Sequence, residues 1–242
     1  MDLKTTLKEK GLLTPSIVPM PEGAKWLWQL YIDGEPVDME GLHHVALKSK
    51  FGVMNFGADI QTHRNSFAFE EVSHGGSIII PFVCLNDRQI VTPPSHFNQI
   101  LVGVIEQCRP KQGGVVLNCP RGFVGDSQAE DHEGGARREL NEETGMSGQL
   151  ILLPGHPLNP NSALFETGPD DGCRVYGLCL GPNQVAVNND GSVHVATDKL
   201  SHDAGEIIGK CRFIPATEAS ELGDMFTVAG VCRLLNFLIK KC

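Results

Sequence analysis

EDHEGGARRELNEETGM runs from Glu130 to Met146. It reads as a helix from His132 to Thr144, ended by Gly145 in the usual position for a helix-terminating glycine. Helical spacing puts Glu139, Glu142 and Glu143 at i, i+3 and i+4, on one face. Like charges so placed cost a few tenths of a kcal/mol even when solvated, so a bare helix gains nothing from them. One alternative is a plain solvated acidic face. The other is a set of hard oxygen ligands, which makes sense where Mg²⁺ or Mn²⁺ sits between the carboxylates and a phosphate substrate. Gly134 and Gly135 each cost ~1 kcal/mol relative to Ala within a helix. With Ala136 they predict a close approach of this helix to another backbone.

On either side of the helix the chain reads as strands. SIIIPFVCL, QILVGVIEQ and GGVVLNC are rich in β-branched residues and predict a buried sheet. LILL, RVYGLCL and IIGKCRFI follow, then a short helix in ATEASEL and a longer amphipathic one in FTVAGVCRLLNFLIKK. Before them, from Lys25 to about Val72, come shorter β-like runs broken by turns such as Asp33-Gly34. The order predicts an α/β layered domain over residues 76–242, with a small β-rich extension over residues 1–75.

Composition removes several classes of function. Twenty Lys and Arg against 29 Asp and Glu give a net charge of −9, and no basic cluster is present, so nucleic acid is not an expected partner. The longest apolar stretch, Ile78 to Leu85, is far short of the ~20 residues a membrane-spanning helix needs. The opening residues, MDLKTTLKEKGLLTPS, hold no apolar core of signal-peptide length. Eight cysteines form no CxxC pair, and several sit inside apolar runs, as small buried hydrophobes do in a reducing compartment. A cytoplasmic enzyme or binding module is therefore expected.

REx₂EExG from Arg138 to Gly145, with Glu130 eight residues before Arg138, resembles the Nudix hydrolase box. One feature departs from that family's pattern. The position six before Glu130 is Val124, and the nearest glycine that fits is Gly122, in Pro120-Arg121-Gly122-Phe123, so the loop before Glu130 is two residues longer. The run from Glu106 to Phe123, the loop Leu158–Ala163 and the late segment EIIGKCRFIPATEASEL are similar to the ADP-ribose and ADP-sugar pyrophosphatases of that superfamily. Together these matches cover roughly residues 77–240. No SQPWPFPxS-like string, four-cysteine zinc site or LLTxR-type motif is present, which disfavours NADH-pyrophosphatase and coenzyme A hydrolase branches.

The resemblance implies an α/β/α sandwich with an N-terminal β-rich extension. It also implies Mg²⁺-dependent, or Mn²⁺-dependent, hydrolysis of a nucleoside-diphosphate sugar. Glu139 and Glu143 match the family's principal metal ligands, with Glu142 beside them as ligand or water-orienting group. Glu130 matches an additional ligand or structural acid, and the backbone carbonyl of Arg121 another ligand. Arg138 matches the arginine that holds a glutamate in place. The catalytic base is implied in a later acidic loop, at Glu206 or Asp203, with Glu166 a weaker option. Arg109 is the expected contact to substrate phosphate. Trp28, alternating with Trp26, offers an aromatic face for adenine, although core packing explains the pair as well. A homodimer is expected. The rival readings are another substrate (a dinucleoside polyphosphate, NADH or capped RNA) and a Nudix-fold module that binds nucleotide sugar without cleaving it.

Overall fold

The computed structural model describes residues 31–38, 44–48, 52–59, 64–71, 75–84, 99–109, 114–124, 130–157, 161, 172–181, 184–190, 192–195 and 208–241. The chain divides into two compact units, one of Met1–Ser73 with Phe165–Asp171, the other of His74–Leu164 with Gly172–Cys242.

The first unit contains a two-stranded ribbon and a three-stranded sheet, both antiparallel. In the ribbon, β1 (Tyr31–Ile32) pairs with β2 (Glu35–Pro36) across a turn in which Asp33 and Gly34 both take positive φ, 53° and 88°. Such a turn favours Asp-Gly because its short side chains tolerate the left-handed region. The sheet runs β3 (His44–Lys48), β4 (Gly52–Asp59), β5 (Arg64–Glu71), in that order.

The second unit is built on a nine-stranded mixed sheet. Its strands are β6 (Gly76–Cys84), β7 (Ile100–Arg109), β8 (Gly114–Asn118), β9 (Arg121–Phe123), β10 (Leu150–Leu152), β11 (Cys173–Cys179), β12 (Val185–Val187), β13 (Val193–Val195) and β14 (Ile208–Pro215). The order is β10-β11-β6-β7-β14-β13-β12, with β8 on β7 and β9 on β6. Among the described residues three helices accompany it: α1 (His132–Thr144), α2 (Ala216–Ala219) and α3 (Met225–Lys241).

Period-two alternation assigns residues to the two faces of the sheet. Ile78, Ile80, Phe82, Val102 and Val104 pack with Val231, Leu234 and Leu238 of α3. Ile79, Val83, Leu101 and Ile105 pack with Ala136 and Leu140 of α1. Because both faces of β6 are covered, its sequence reads as a continuous apolar run. The result is a mixed α/β fold with a sheet between two helical layers, an α/β/α sandwich. Among the described residues no helix is long and apolar enough to cross a membrane.

β6 pairs with β7 only at Phe82–Cys84, and at its other end pairs with β9 through Gly76–Ile78. The sheet therefore splits between β6 and β7, and the chain from β8 to β9 crosses the split, with Ile79 N–H donating to Pro120 O at 2.9 Å.

Candidate active site

α1 forms where local signals converge. Asp131 caps it, accepting from Gly134 N–H at 2.7 Å. Gly145, at φ 68°, ends it by donating to Asn141 O at 2.9 Å. These are the preferred chemistries of a helix start and a left-handed helix stop. Its buried positions include His132, Ala136, Leu140 and Glu143, a helical stripe whose last member is a carboxylate. Ser77 and His132 fasten the start of the helix to β6: Ser77 Oγ donates to His132 O at 2.6 Å, and His132 Nδ1 lies 3.1 Å from Gly76 O.

β9 is a three-residue edge strand. The bonds on its β6 side continue at the residues that flank it, Pro120 accepting from Ile79 N–H and Val124 N–H donating to Gly75 O at 3.1 Å. In an antiparallel strand the residues between such bonds point their N–H and C=O to the other side. Arg121 and Phe123 are those residues, and their groups meet α1. Arg121 N–H donates to Glu143 Oε2 at 3.0 Å, and Phe123 O accepts from Arg138 Nη2 at 2.9 Å. Two backbone groups of the free edge, which would otherwise be left unpaired, are thus met by side chains of the helix.

Between these two contacts lies Gly122. A Cβ on it would sit 1.9 Å from Glu139 Cδ and 2.0 Å and 2.5 Å from its two oxygens. Only glycine lets the carboxylate lie against the strand. The close approach expected at Gly134 and Gly135 is thus made by the strand: a Cβ at Gly135 would stand 3.5 Å from Val124 Cα, an ordinary contact.

Arg138 gathers the carboxylates. Its Nε donates to Glu130 Oε1 at 3.2 Å, and its Nη1 to Glu139 Oε1 at 2.7 Å and to Glu142 Oε2 at 3.0 Å. Burial by itself lowers the Arg138 pKa, but the hydrogen bond to Glu130 and the Glu139 carboxylate outweigh it, and the net shift is upward. The guanidinium thus stays cationic and offsets the mutual repulsion of the acids around it. Glu130, Glu139, Glu142, Glu143 and Arg138 are brought together, with the outer edge of β9 as the sixth component. Among the described residues no group of three or more His, Cys, Asp or Glu side chains is arranged to hold a metal ion as it stands; here the Glu130, Glu139 and Glu142 carboxylates bond to Arg138.

Arg109, at the end of β7, is on the same sheet but is occupied locally. Its Nε and Nη2 both donate to Gln107 Oε1, at 3.0 Å and 2.7 Å, and Asn118 Nδ2 donates to the same oxygen at 3.0 Å. Among the described residues the buried Asn118 Oδ1 has no hydrogen-bond partner. Trp28, Glu166, Asp203 and Glu206 lie outside the described residues.

Sequence reading missed the residues that hold β9 from behind. The Arg121 side chain stacks over Phe226, 4.8 Å from the ring centroid, and its Nη1 pairs with Asp224 Oδ1 at 2.6 Å. Cys119 N–H donates to Thr227 Oγ1 at 2.8 Å. Asp224, ahead of the periodic apolar residues of α3, is readable as a helix start. Its partner 103 residues earlier is not.

No family model matches the chain, and no curated protein matches it. Among solved structures it is similar to an ADP compounds hydrolase at 12% identity, over 83% of this chain and 94% of that one, with a TM-score of 0.48. It is also similar to the NUDIX domain of Shewanella oneidensis NrtR complexed with ADP ribose, at 13% identity over 67% and 86% of the two chains, with a TM-score of 0.41. Neither likeness bears on the chemistry, which rests on the site itself.

Proposed function

We propose that this chain is a Nudix-type pyrophosphatase. In this reading it splits the diphosphate linkage of ADP-ribose, or of a related nucleoside-diphosphate sugar, into a nucleoside monophosphate and a sugar phosphate. The observation that carries the reading is the Gly122 contact: an edge strand without a Cβ lies against the Glu139 carboxylate, with Glu143 on one side and Arg138 on the other. A solvated acidic face requires no such fit.

The donor set is all oxygen and suits a hard divalent cation. Glu139, Glu142, Glu143 and Glu130, with the Arg121 carbonyl on the same outer edge of β9, are the residues that would hold Mg²⁺ or Mn²⁺. When bound, such an ion neutralises phosphate oxygens and acidifies a coordinated water. The chain's own residues do the rest. Arg138 holds Glu130, Glu139 and Glu142 in place, and β9 fixes Glu143 through the Arg121 N–H. In the proposed reaction a water oxygen bonds to one phosphorus of the diphosphate. The bridging P–O bond then breaks and its electron pair leaves with the departing phosphate. The water proton passes to a base, for which Glu206 and Asp203 are the proposed residues. Arg109 is proposed to reach a substrate phosphate by releasing Gln107, and Trp28 to stack on adenine. Residues 1–75 are proposed as the extension and 76–242 as the hydrolase domain, with a cytoplasmic homodimer as the working form.

The test is incubation of the purified protein with ADP-ribose, ADP-glucose, NADH and a dinucleoside polyphosphate, in Mg²⁺ and in EDTA. Release of AMP from ADP-ribose with metal alone is expected, and Glu143→Gln should abolish most of it while leaving the melting temperature close to the original. No metal-dependent turnover of any member would remove the hydrolase reading.

A further inference from the structure

The carboxylate of Asp224 does two separate jobs with its two oxygens. Oδ2 caps α3, accepting from Thr227 N–H at 2.9 Å and Thr227 Oγ1 at 2.7 Å. Oδ1 faces the other way and takes Arg121 Nη1 at 2.6 Å. A helix start needs only one acceptor, and Asn or Ser serves it as well as Asp. The second oxygen and the negative charge are therefore surplus to the helix and are spent on Arg121. The pair is largely shielded, with 21% and 18% of the two side chains exposed.

Arg121 is also the residue whose backbone N–H meets Glu143 and whose neighbour Gly122 lies against Glu139. Its side chain leaves β9 toward α3, where Phe226 stacks on it and Asp224 pairs with it. Two residues earlier Cys119 N–H is tied to Thr227, so the segment entering β9 is pinned twice to the first turn of α3. A strand of three residues bonded along one edge has little stiffness of its own. The pins supply it.

We propose that Asp224 is a positioning residue for the carboxylate site, holding the outer edge of β9 in register with Glu139 and Glu143 through the Arg121 guanidinium. The proposal rests on the hydrolase reading, since it concerns how that site is kept fit for a divalent cation. Asp224 bonds to Arg121 and Thr227 and acts on the carboxylates through Arg121, as outer-shell groups act on metal ligands.

The experiment uses the full chain and three variants, Asp224→Asn, Arg121→Gln and the double. Mn²⁺ binding is read by electron paramagnetic resonance and folding by thermal melting without metal. Asp224→Asn keeps the cap and loses the ion pair, so the melting temperature should stay within a few degrees while Mn²⁺ affinity falls about ten-fold. Arg121→Gln keeps its backbone N–H and carbonyl and should show the same loss, and the double variant should be no weaker than either single. If Asp224→Asn does not fold, Arg121→Gln carries the same reading. Unchanged Mn²⁺ affinity in the folded variants, or losses that multiply in the double, would overturn the positioning role while leaving the hydrolase reading intact. An unmutated chain that binds no Mn²⁺ would bring down both.

Discussion

Gly122→Ala adds one methyl group at the point where strand and helix touch. Gly122 does not take a left-handed φ, so the backbone accepts alanine and the whole effect comes from space. The new Cβ would stand 1.9 Å from Glu139 Cδ, and ordinary contact begins at 3.4 Å, so the carboxylate must retreat by about 1.5 Å. It can do so, because it is the end of a flexible side chain, but it then leaves its rotamer and its bond to Arg138. The first costs roughly 0.5–1.5 kcal/mol. A charge-assisted bond is worth about 1.5–3 kcal/mol, and less here because 36% of the Arg138 side chain is exposed. Replacing glycine returns about 0.4–1 kcal/mol by restricting the unfolded chain. The net loss is about 1–2 kcal/mol, or roughly 2–8 °C in melting temperature for a chain of this size. Metal-dependent hydrolysis should suffer far more, by ~100-fold, because a misplacement on the order of 1 Å costs that much in a positioned site. Gly223→Ala is the control: its Cβ would meet nothing within 4 Å, so it should show only the gain of about 0.4–1 kcal/mol from the restricted unfolded chain. The assays are thermal melting and AMP release from ADP-ribose. Turnover by Gly122→Ala within two-fold of the original would refute the argument that this contact shapes the site.

Thr227, behind β9, and Cys211, on β14, each lead to a measurable outcome through burial. Thr227→Val keeps shape but removes the acceptor of Cys119 N–H, leaving a buried donor unpaired beneath a fully buried side chain. Urea unfolding should show a loss of about 1–3 kcal/mol at unchanged slope, and an unaltered midpoint would count against the pin. Burial also pushes the Cys211 thiol up from 9.0 to about 12. Its folded pKa lies above the unfolded one, so the stability it contributes is complete below pH 9 and is lost as pH rises toward 12. Cys211→Ala should therefore be less stable than the original at pH 7.5, with the gap narrowing by about 1–2 kcal/mol by pH 10.5; a gap independent of pH would contradict the assignment.

The parts of this fold legible in sequence are those whose causes are local. Asp131 and Gly145 bracket α1 within its own residues. β6 and β7 announce themselves by runs of β-branched residues that cover both faces of a central sheet. β9 does not: Pro120-Arg121-Gly122-Phe123 reads as a loop, and is a strand only because β6 lies beside it. The β12–β13 hairpin has three residues on each side, too few to show a period. The carboxylates are readable from helical spacing, and Gly122 is readable as the glycine nearest to a family pattern, but not as the residue that packs against Glu139. Its place on an edge strand depends on how far two elements approach in space, which no residue in either one specifies. The partnership of Asp224 with Arg121 is hidden for the same reason. Each half has an ordinary local explanation, a helix cap and an arginine in a strand.

The edge of β9 also decides which substitutions can separate fold from chemistry. Its outward N–H at Arg121 and carbonyl at Phe123 must find partners, and here the partners are Glu143 and Arg138. The same side chains therefore complete the sheet and build the site, so removing them outright confounds the two roles. Glu143→Ala would strip the Arg121 N–H of its acceptor, at a cost of about 1–3 kcal/mol to folding whatever its effect on turnover. Glu143→Gln keeps an oxygen where the strand needs one and removes only the charge. A carboxylate offers about four lone-pair sites, of which the backbone bond uses one, so an amide can serve the strand but is a much poorer ligand for a hard cation. A fold that survives Glu143→Gln with its activity gone would place the loss on the charge. Equal loss of both in Glu143→Gln would show instead that the strand depends on the carboxylate as an ion, and the catalytic assignment would then need another residue.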